Sequence, residues 1–199
     1  MRKPLLLTLG AIAISSISLF YSCSESTPEQ NEETKTVAAP THEGVLKRGK
    51  HLVTIMGCND CHSPKKIGPK GPEIIMERML SGFPSDRPVA KLDNKLTKEG
   101  FAIMYPDMTA AAGPWGVSFA SNLTPDETGI GNWTEEQFKK ALTEGKLKGL
   151  DGSRPLLPPM PWMNYTTLTD EEIHAIFSYL KSITPVKNIV PNPIAPDMM

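Results

Sequence analysis

Cys58-Asn59-Asp60-Cys61-His62 is the stretch on which the reading of this chain turns. Two cysteines three positions apart, with a histidine directly after the second, form the attachment pattern of a c-type haem. Two thiols on one helical turn can each bond a haem vinyl group as a thioether. The next residue then sets its imidazole beneath the iron. CxxC also occurs in thioredoxin-like proteins, where it sits at a strand-to-helix junction. Here the preceding residues, Val45 to Met56, carry a helical pattern instead. A structural zinc site needs four ligands. The third cysteine, Cys23, lies in a targeting segment, and His42, His51 and His174 are scattered. The motif therefore predicts haem c, and the lack of a second CxxCH predicts one group.

Upstream of the motif the chain reads as a leader and a tether. Arg2 and Lys3 precede an almost uncharged apolar run, Leu5 to Phe20, which is a secretory signal pattern. The run ends in Leu19-Phe20-Tyr21-Ser22-Cys23, a degenerate form of the lipoprotein cleavage box, with Ser22 as the small residue before the cysteine. Residues 1–22 are predicted to be a lipoprotein-type signal, with lipid on Cys23. Multiple acyl chains would hold the protein to a membrane where one alone binds marginally. An uncleaved helical anchor is the alternative, although the run is short for one. Residues 23–42 are rich in Glu, Ser, Thr, Gln and Pro and are predicted to form a disordered tether. The expected location is the periplasmic or cell-envelope face of a membrane.

Charge excludes one class of partner. The chain has 21 basic and 22 acidic side chains. Loss of residues 1–22 removes Arg2 and Lys3 and leaves a net charge of −3. Nothing here forms a basic field for nucleic acid.

Downstream, the chain is proline-rich coil punctuated by helices. Its 19 prolines cluster at 64–88, 155–161 and 185–196. A first helix is predicted over 43–57, with Val45, Leu46, Leu52, Val53 and Met56 on one face. A second starts at Thr134 with a capping box to Gln137 and stops at Gly145. A third starts at Thr169 with a capping box to Glu172 and is stopped by Pro185. Strand signals are weak, so an all-α domain is expected over 43–190, with a tail at 191–199. A fold this loop-rich has a thin core unless a buried haem adds apolar mass.

Ahead of the third helix lies Leu156-Leu157-Pro158-Pro159-Met160-Pro161-Trp162-Met163. With this segment the chain resembles a class I cytochrome c over residues 44–186. The resemblance rests on CNDCH at 58–62, on GIGNWTEEQFKKAL at 129–142, and on LLPPMPW followed by LTDEEIHAIFSYLKSITPV at 168–186. It is nearest to haem domains that serve periplasmic dehydrogenases as electron-transfer partners or subunits. The resemblance implies cytochrome c-like helices wrapped around the haem, with His62 as proximal and Met160 as distal iron ligand. Met/His ligation raises the haem potential, and flanking prolines stiffen the loop that presents the thioether. Met163 as ligand is the competing reading; plain packing for both is a third. The resemblance also implies that Trp133 lies at the haem edge, against the plainer reading of an aromatic stapling the helix. It implies that Pro72 or Pro69 gives the carbonyl that orients His62, and that Gly49 lets the first and last helices cross near Phe177 or Tyr179. His51 and His174 read as surface or satisfied, and Met56, Met76, Met79, Met104 and Met108 as packing or surface.

Residues 73–120 depart from the compact pattern and are expected to form a loop over the haem edge or a docking surface. The functional expectation is an electron carrier between a dehydrogenase donor and an oxidase or another cytochrome. The rival is a haem enzyme or gas sensor with a displaceable distal methionine. No nucleophile–base pairing or phosphate loop suggests side-chain catalysis.

Overall fold

The computed structural model describes residues 40–91 and 94–199. The expected signal, Cys23 and the tether up to residue 39 lie outside the described residues. The first helix, α1 (His42–Ile55), begins where Thr41 Oγ1 accepts the Gly44 amide at 3.1 Å. Gly57, at φ 70°, turns the chain so that the haem motif forms a separate one-turn helix, α2 (Cys58–His62). The middle helix, α4 (Glu135–Glu144), has both halves of its capping box, and Gly145 ends it in the left-handed region at φ 66°. The last helix, α5 (Asp170–Ser182), is capped by Thr169 and Glu172 in the same way. Ile183 is already extended, two residues ahead of Pro185.

Helices α1 and α5 cross at Gly49. A Cβ there would overlap the Ala175 carbonyl and lie 2.7 Å from Tyr179 Cβ. Of the two expected neighbours, Tyr179 is therefore the one that meets Gly49. Leu52 and Val53 of α1 pack with Ile173, Ala175, Ile176 and Leu180 of α5 and with Phe138 and Leu142 of α4. Leu80 and Ile130, from loops, complete this buried cluster. Each large aliphatic side chain buried there contributes about 2 kcal/mol.

The all-α expectation is corrected. A hairpin pairs β1 (Lys65–Gly68) with β2 (Gly71–Ile74), in register Lys65 opposite Ile74. After a single helical turn, α3 (Lys95–Lys98), a second antiparallel sheet has the order β3 (Ile103–Met104), β4 (Ala110–Gly113), β5 (Gly116–Phe119). These strands hide from pattern reading because β4 is Ala-Ala-Ala-Gly and fully buried, with no alternation. Phe83 anchors this half, 4.8 Å from the Phe119 ring and 5.6 Å from that of Tyr105, with the Arg87 guanidinium above it. The described residues between 73 and 120 thus carry short strands and turns that pack around Phe83 rather than one open loop.

The chain beyond α5 also packs. Ile194 bridges to Val117 through two backbone bonds of 2.8 and 3.0 Å, which ties the tail at 191–199 to β5. Asn188, 7% exposed, binds the Ser81 and Phe83 carbonyls and the Ser85 amide at 2.7–2.9 Å.

Candidate haem-attachment site

Helix α2 places Cys58, Cys61 and His62 on five consecutive residues. Both thiols are free and half-buried. His62 is buried, and its Nδ1 lies 2.7 Å from the Ser121 carbonyl oxygen. A carbonyl can only accept, so Nδ1 carries the ring proton and Nε2 keeps its lone pair. Nε2 has no hydrogen-bond partner among the described residues. Burial lowers the His62 pKa while the Ser121 bond pulls the other way, which leaves the imidazole neutral. Burial also pushes the Cys58 thiol up to about 11. The Cys61 thiol is raised by burial and by Asp60, with Lys65 pulling it down.

The backbone around His62 is clamped. The Gly82 amide donates to the His62 carbonyl at 2.8 Å, and the Phe83 amide to the Ala120 carbonyl at 2.9 Å. Gly82 is required there: at φ 79° its missing Cβ would press on Ala120 and Ser121. Leu80, fully buried, sits at φ 60°, a conformation that costs a non-glycine residue about 1–2 kcal/mol. Its amide is bonded by Ser63 Oγ at 2.9 Å and its carbonyl by the Leu123 amide at 2.8 Å. The segment 80–83 therefore holds the segment 120–123, and with it the carbonyl facing His62.

The expected acceptor is corrected here. Neither Pro72 nor Pro69 faces His62; Pro72 lies in the hairpin, opposite Ile67. Ser121 takes that role because the strands of the 73–120 layer return the chain beside α2. Sequence offered only an indirect signal. Asn122 and Thr124, and Asp126 and Thr128, form side-chain turns that fix this loop, with Oδ1 of each acid or amide accepting the backbone amide two residues on at 2.9 Å.

The methionine loop is tied down on both sides. Ser118 Oγ donates to the Pro158 carbonyl at 2.6 Å, and the Leu156 amide to the Gly145 carbonyl at 2.6 Å. The Trp162 ring covers Gly145, where a Cβ would strike it. The Tyr165 hydroxyl donates to the Met56 carbonyl at 3.2 Å, linking this loop to the start of the haem motif. The Pro158–Pro159 peptide is cis. Met160 is half-buried against the same cluster as Cys58, Met79, Leu80 and Trp133, whereas Met163 is 58% exposed. Trp133 Nε1 has no partner among the described residues. His51 is exposed, and His174 pairs with Glu135 at 3.0 Å, clamping α5 to α4 away from the motif.

Asp107 lies beside the haem motif's flank, its main-chain carbonyl accepting Lys65 Nζ at 3.0 Å. Its carboxylate pairs with Arg87 at 2.7 Å and accepts the Thr109 hydroxyl at 2.8 Å. Burial alone would raise its pKa; Arg87 and Thr109 outweigh burial and hold it below the usual range. A depressed acid stabilises the fold above its ordinary pKa, and that contribution disappears as pH falls through the folded value. Asp107→Asn is expected to cost about 2–3 kcal/mol at neutral pH. It should also flatten the acid limb of the stability profile, as read by denaturant unfolding between about pH 2 and 7. An unchanged acid limb would show that this carboxylate is not the acid-labile group.

The donors suit a covalent haem: two uncommitted thiols on one turn, a neutral imidazole with Nε2 unpartnered, and a thioether against the same cluster. The cytochrome c family model matches residues 46–184. The chain belongs to the cytochrome c family, which implies covalently bound haem c. It is 29% identical to the fructose dehydrogenase cytochrome subunit of Gluconobacter japonicus, over 93% of this chain and 30% of that protein. It is 26% identical to the gluconate 2-dehydrogenase cytochrome c subunit of Pantoea cypripedii, over 73% of this chain and 25% of that protein. It is 28% identical to the cytochrome c subunit of the quinone alcohol dehydrogenase of Gluconobacter oxydans, over 75% and 24%. The chain spans less than a third of the length of these relatives.

Proposed function

We propose that this chain is an electron-transfer cytochrome carrying one haem c, thioether-bound at Cys58 and Cys61, with His62 and Met160 as axial ligands. When bound, the haem supplies one-electron Fe(III)/Fe(II) chemistry. His62 is held for ligation by the Ser121 carbonyl, which fixes the tautomer and the ring plane. Met160 is preferred to Met163 because it packs against the cluster that receives Cys58, while Met163 points to solvent. Trp133 is assigned to the haem edge, its indole N–H available to an anionic oxygen. With His62 and Met160 both holding the iron, these side chains would leave no place for substrate on it, which favours a carrier over a haem enzyme or gas sensor. Cytochrome subunits of dehydrogenases among the relatives favour the same reading. On it, a dehydrogenase is the donor, and an oxidase or another cytochrome the acceptor. The N-terminal pattern supports export, with the domain held at the cell-envelope membrane face by lipid on Cys23.

The observation that carries the proposal is the convergence of α2 and the methionine loop on one cluster. Absorption spectra test it. Wild type and Met163→Ala are expected to be low-spin with a methionine-to-iron charge-transfer band in the red. Met160→Ala should lose the band, bind CO readily and show a lowered reduction potential. A low-spin Met/His spectrum in Met160→Ala overturns the axial assignment. A high-spin wild type that binds CO favours the enzyme or sensor.

A further inference from the structure

Lys65 is placed unlike any other lysine described here. Its Nζ donates to four main-chain carbonyls: Asp60 at 2.6 Å, Ser63 at 3.0 Å, Asp107 at 3.0 Å and Asn59 at 3.3 Å. Three of these belong to α2 or the residue after it; the Asn59 carbonyl also accepts the Ser63 amide at 3.3 Å. The fourth comes from the Asp107 loop, whose carboxylate is already neutralised by Arg87. No carboxylate lies within 4.0 Å of the ammonium among the described residues, so this half-buried charge has no counter-ion in contact. The nearby acid on α2, Asp60, is exposed and more fully screened by water.

We propose that Lys65 is a charge-tuning residue, a fixed cation stapled to the carbonyl end of the haem-attachment helix that biases the haem iron toward Fe(II). The inference rests on the haem assignment made above. The physical reason is that Fe(III) carries one more positive charge than Fe(II). A nearby cation with little water around it therefore penalises the oxidised form. Four carbonyls orient the ammonium, so no side-chain rearrangement accompanies electron transfer.

The test compares Lys65→Gln, which retains amide donors for the carbonyls but removes the charge, with Lys65→Arg, which retains the charge. Midpoint potentials are measured at low salt on haem-loaded protein, alongside spectra and thermal unfolding. Lys65→Gln is expected to shift the Fe(II)/Fe(III) equilibrium three- to tenfold toward Fe(III), about 30–60 mV at 59 mV per tenfold for one electron. The shift should shrink in high salt. Lys65→Arg is expected to stay within twofold of wild type. An unchanged potential in folded Lys65→Gln overturns the proposal. So does a shift beyond threefold in folded Lys65→Arg, an outcome readable even if the glutamine variant fails to load haem. Failure of the haem assignment would show separately, as a wild-type spectrum without His/Met ligation.

Discussion

Gly49→Ala is expected to destabilise the protein by about 3–4 kcal/mol, lowering the thermal midpoint by about 10 °C. The sign is the informative part. Within a helix, glycine to alanine ordinarily gains close to 1 kcal/mol, because alanine has less backbone freedom to lose. Here the added methyl would overlap the Ala175 carbonyl on α5 and lie 2.7 Å from Tyr179 Cβ. Neither neighbour is a flexible side-chain tip; one is helix backbone. The helices must therefore separate, and the layer of Leu52, Val53, Ile173 and Ile176 beneath them loses contact. Gly44→Ala, in the exposed first turn of the same helix, should stay within about 1 kcal/mol of wild type. Thermal unfolding of both variants decides. A Gly49→Ala protein as stable as wild type would mean that α1 and α5 do not cross at this residue.

Asn188→Ala is expected to cost about 3–4 kcal/mol and also to alter the haem. The side chain satisfies three backbone groups at once, the Ser81 and Phe83 carbonyls and the Ser85 amide. Removing it leaves these groups without their partner next to buried Ser81 and Phe83, at about 1 kcal/mol or more each. The same segment holds Ser121 against His62 through the Gly82 and Phe83 amides. Under the proposed ligation by His62, loosening it would weaken the Nδ1 bond, make the imidazole a poorer donor and favour Fe(II). The reduction potential should therefore rise, opposite to the Met160→Ala effect. A stability loss with an unmoved potential would mean that Asn188 supports the fold without supporting the ligand.

Both predictions rest on contacts whose legibility differed. Gly49 was marked by the family resemblance, and the packing of α1 on α5 gives the physical reason for it. Asn188 did not stand out. It lies in proline-rich coil past the last helix, where nothing in the local pattern indicates which carbonyls a side chain will meet. The three long helices were readable, and so were the caps of the last two, because capping chemistry is local; the first helix ends at Ile55, short of the predicted 57. Thr134 with Gln137 and Thr169 with Glu172 each close a reciprocal pair three residues apart. The strands were missed because they are two to four residues long, and the buried β4 is built from alanine and glycine. Their pairing is set by neighbours distant in the chain rather than by alternation.

The haem motif itself was decided by sequence: Cys58, Cys61 and His62 fall on one helical turn because their spacing is local, and the cofactor class follows from it. Through the family resemblance, sequence also put Met160 ahead of Met163 as the second ligand. The long-range ties of Ser118 and Tyr165 hold this loop so that Met160 is half-buried against the cluster that Cys58 also meets while Met163 is exposed, which favours Met160. Tertiary structure alone chose Ser121 as the partner of His62 and gathered four carbonyls around Lys65. A carbonyl exists at every residue, so no sequence can mark the one that faces a ligand; only the path of the folded chain does.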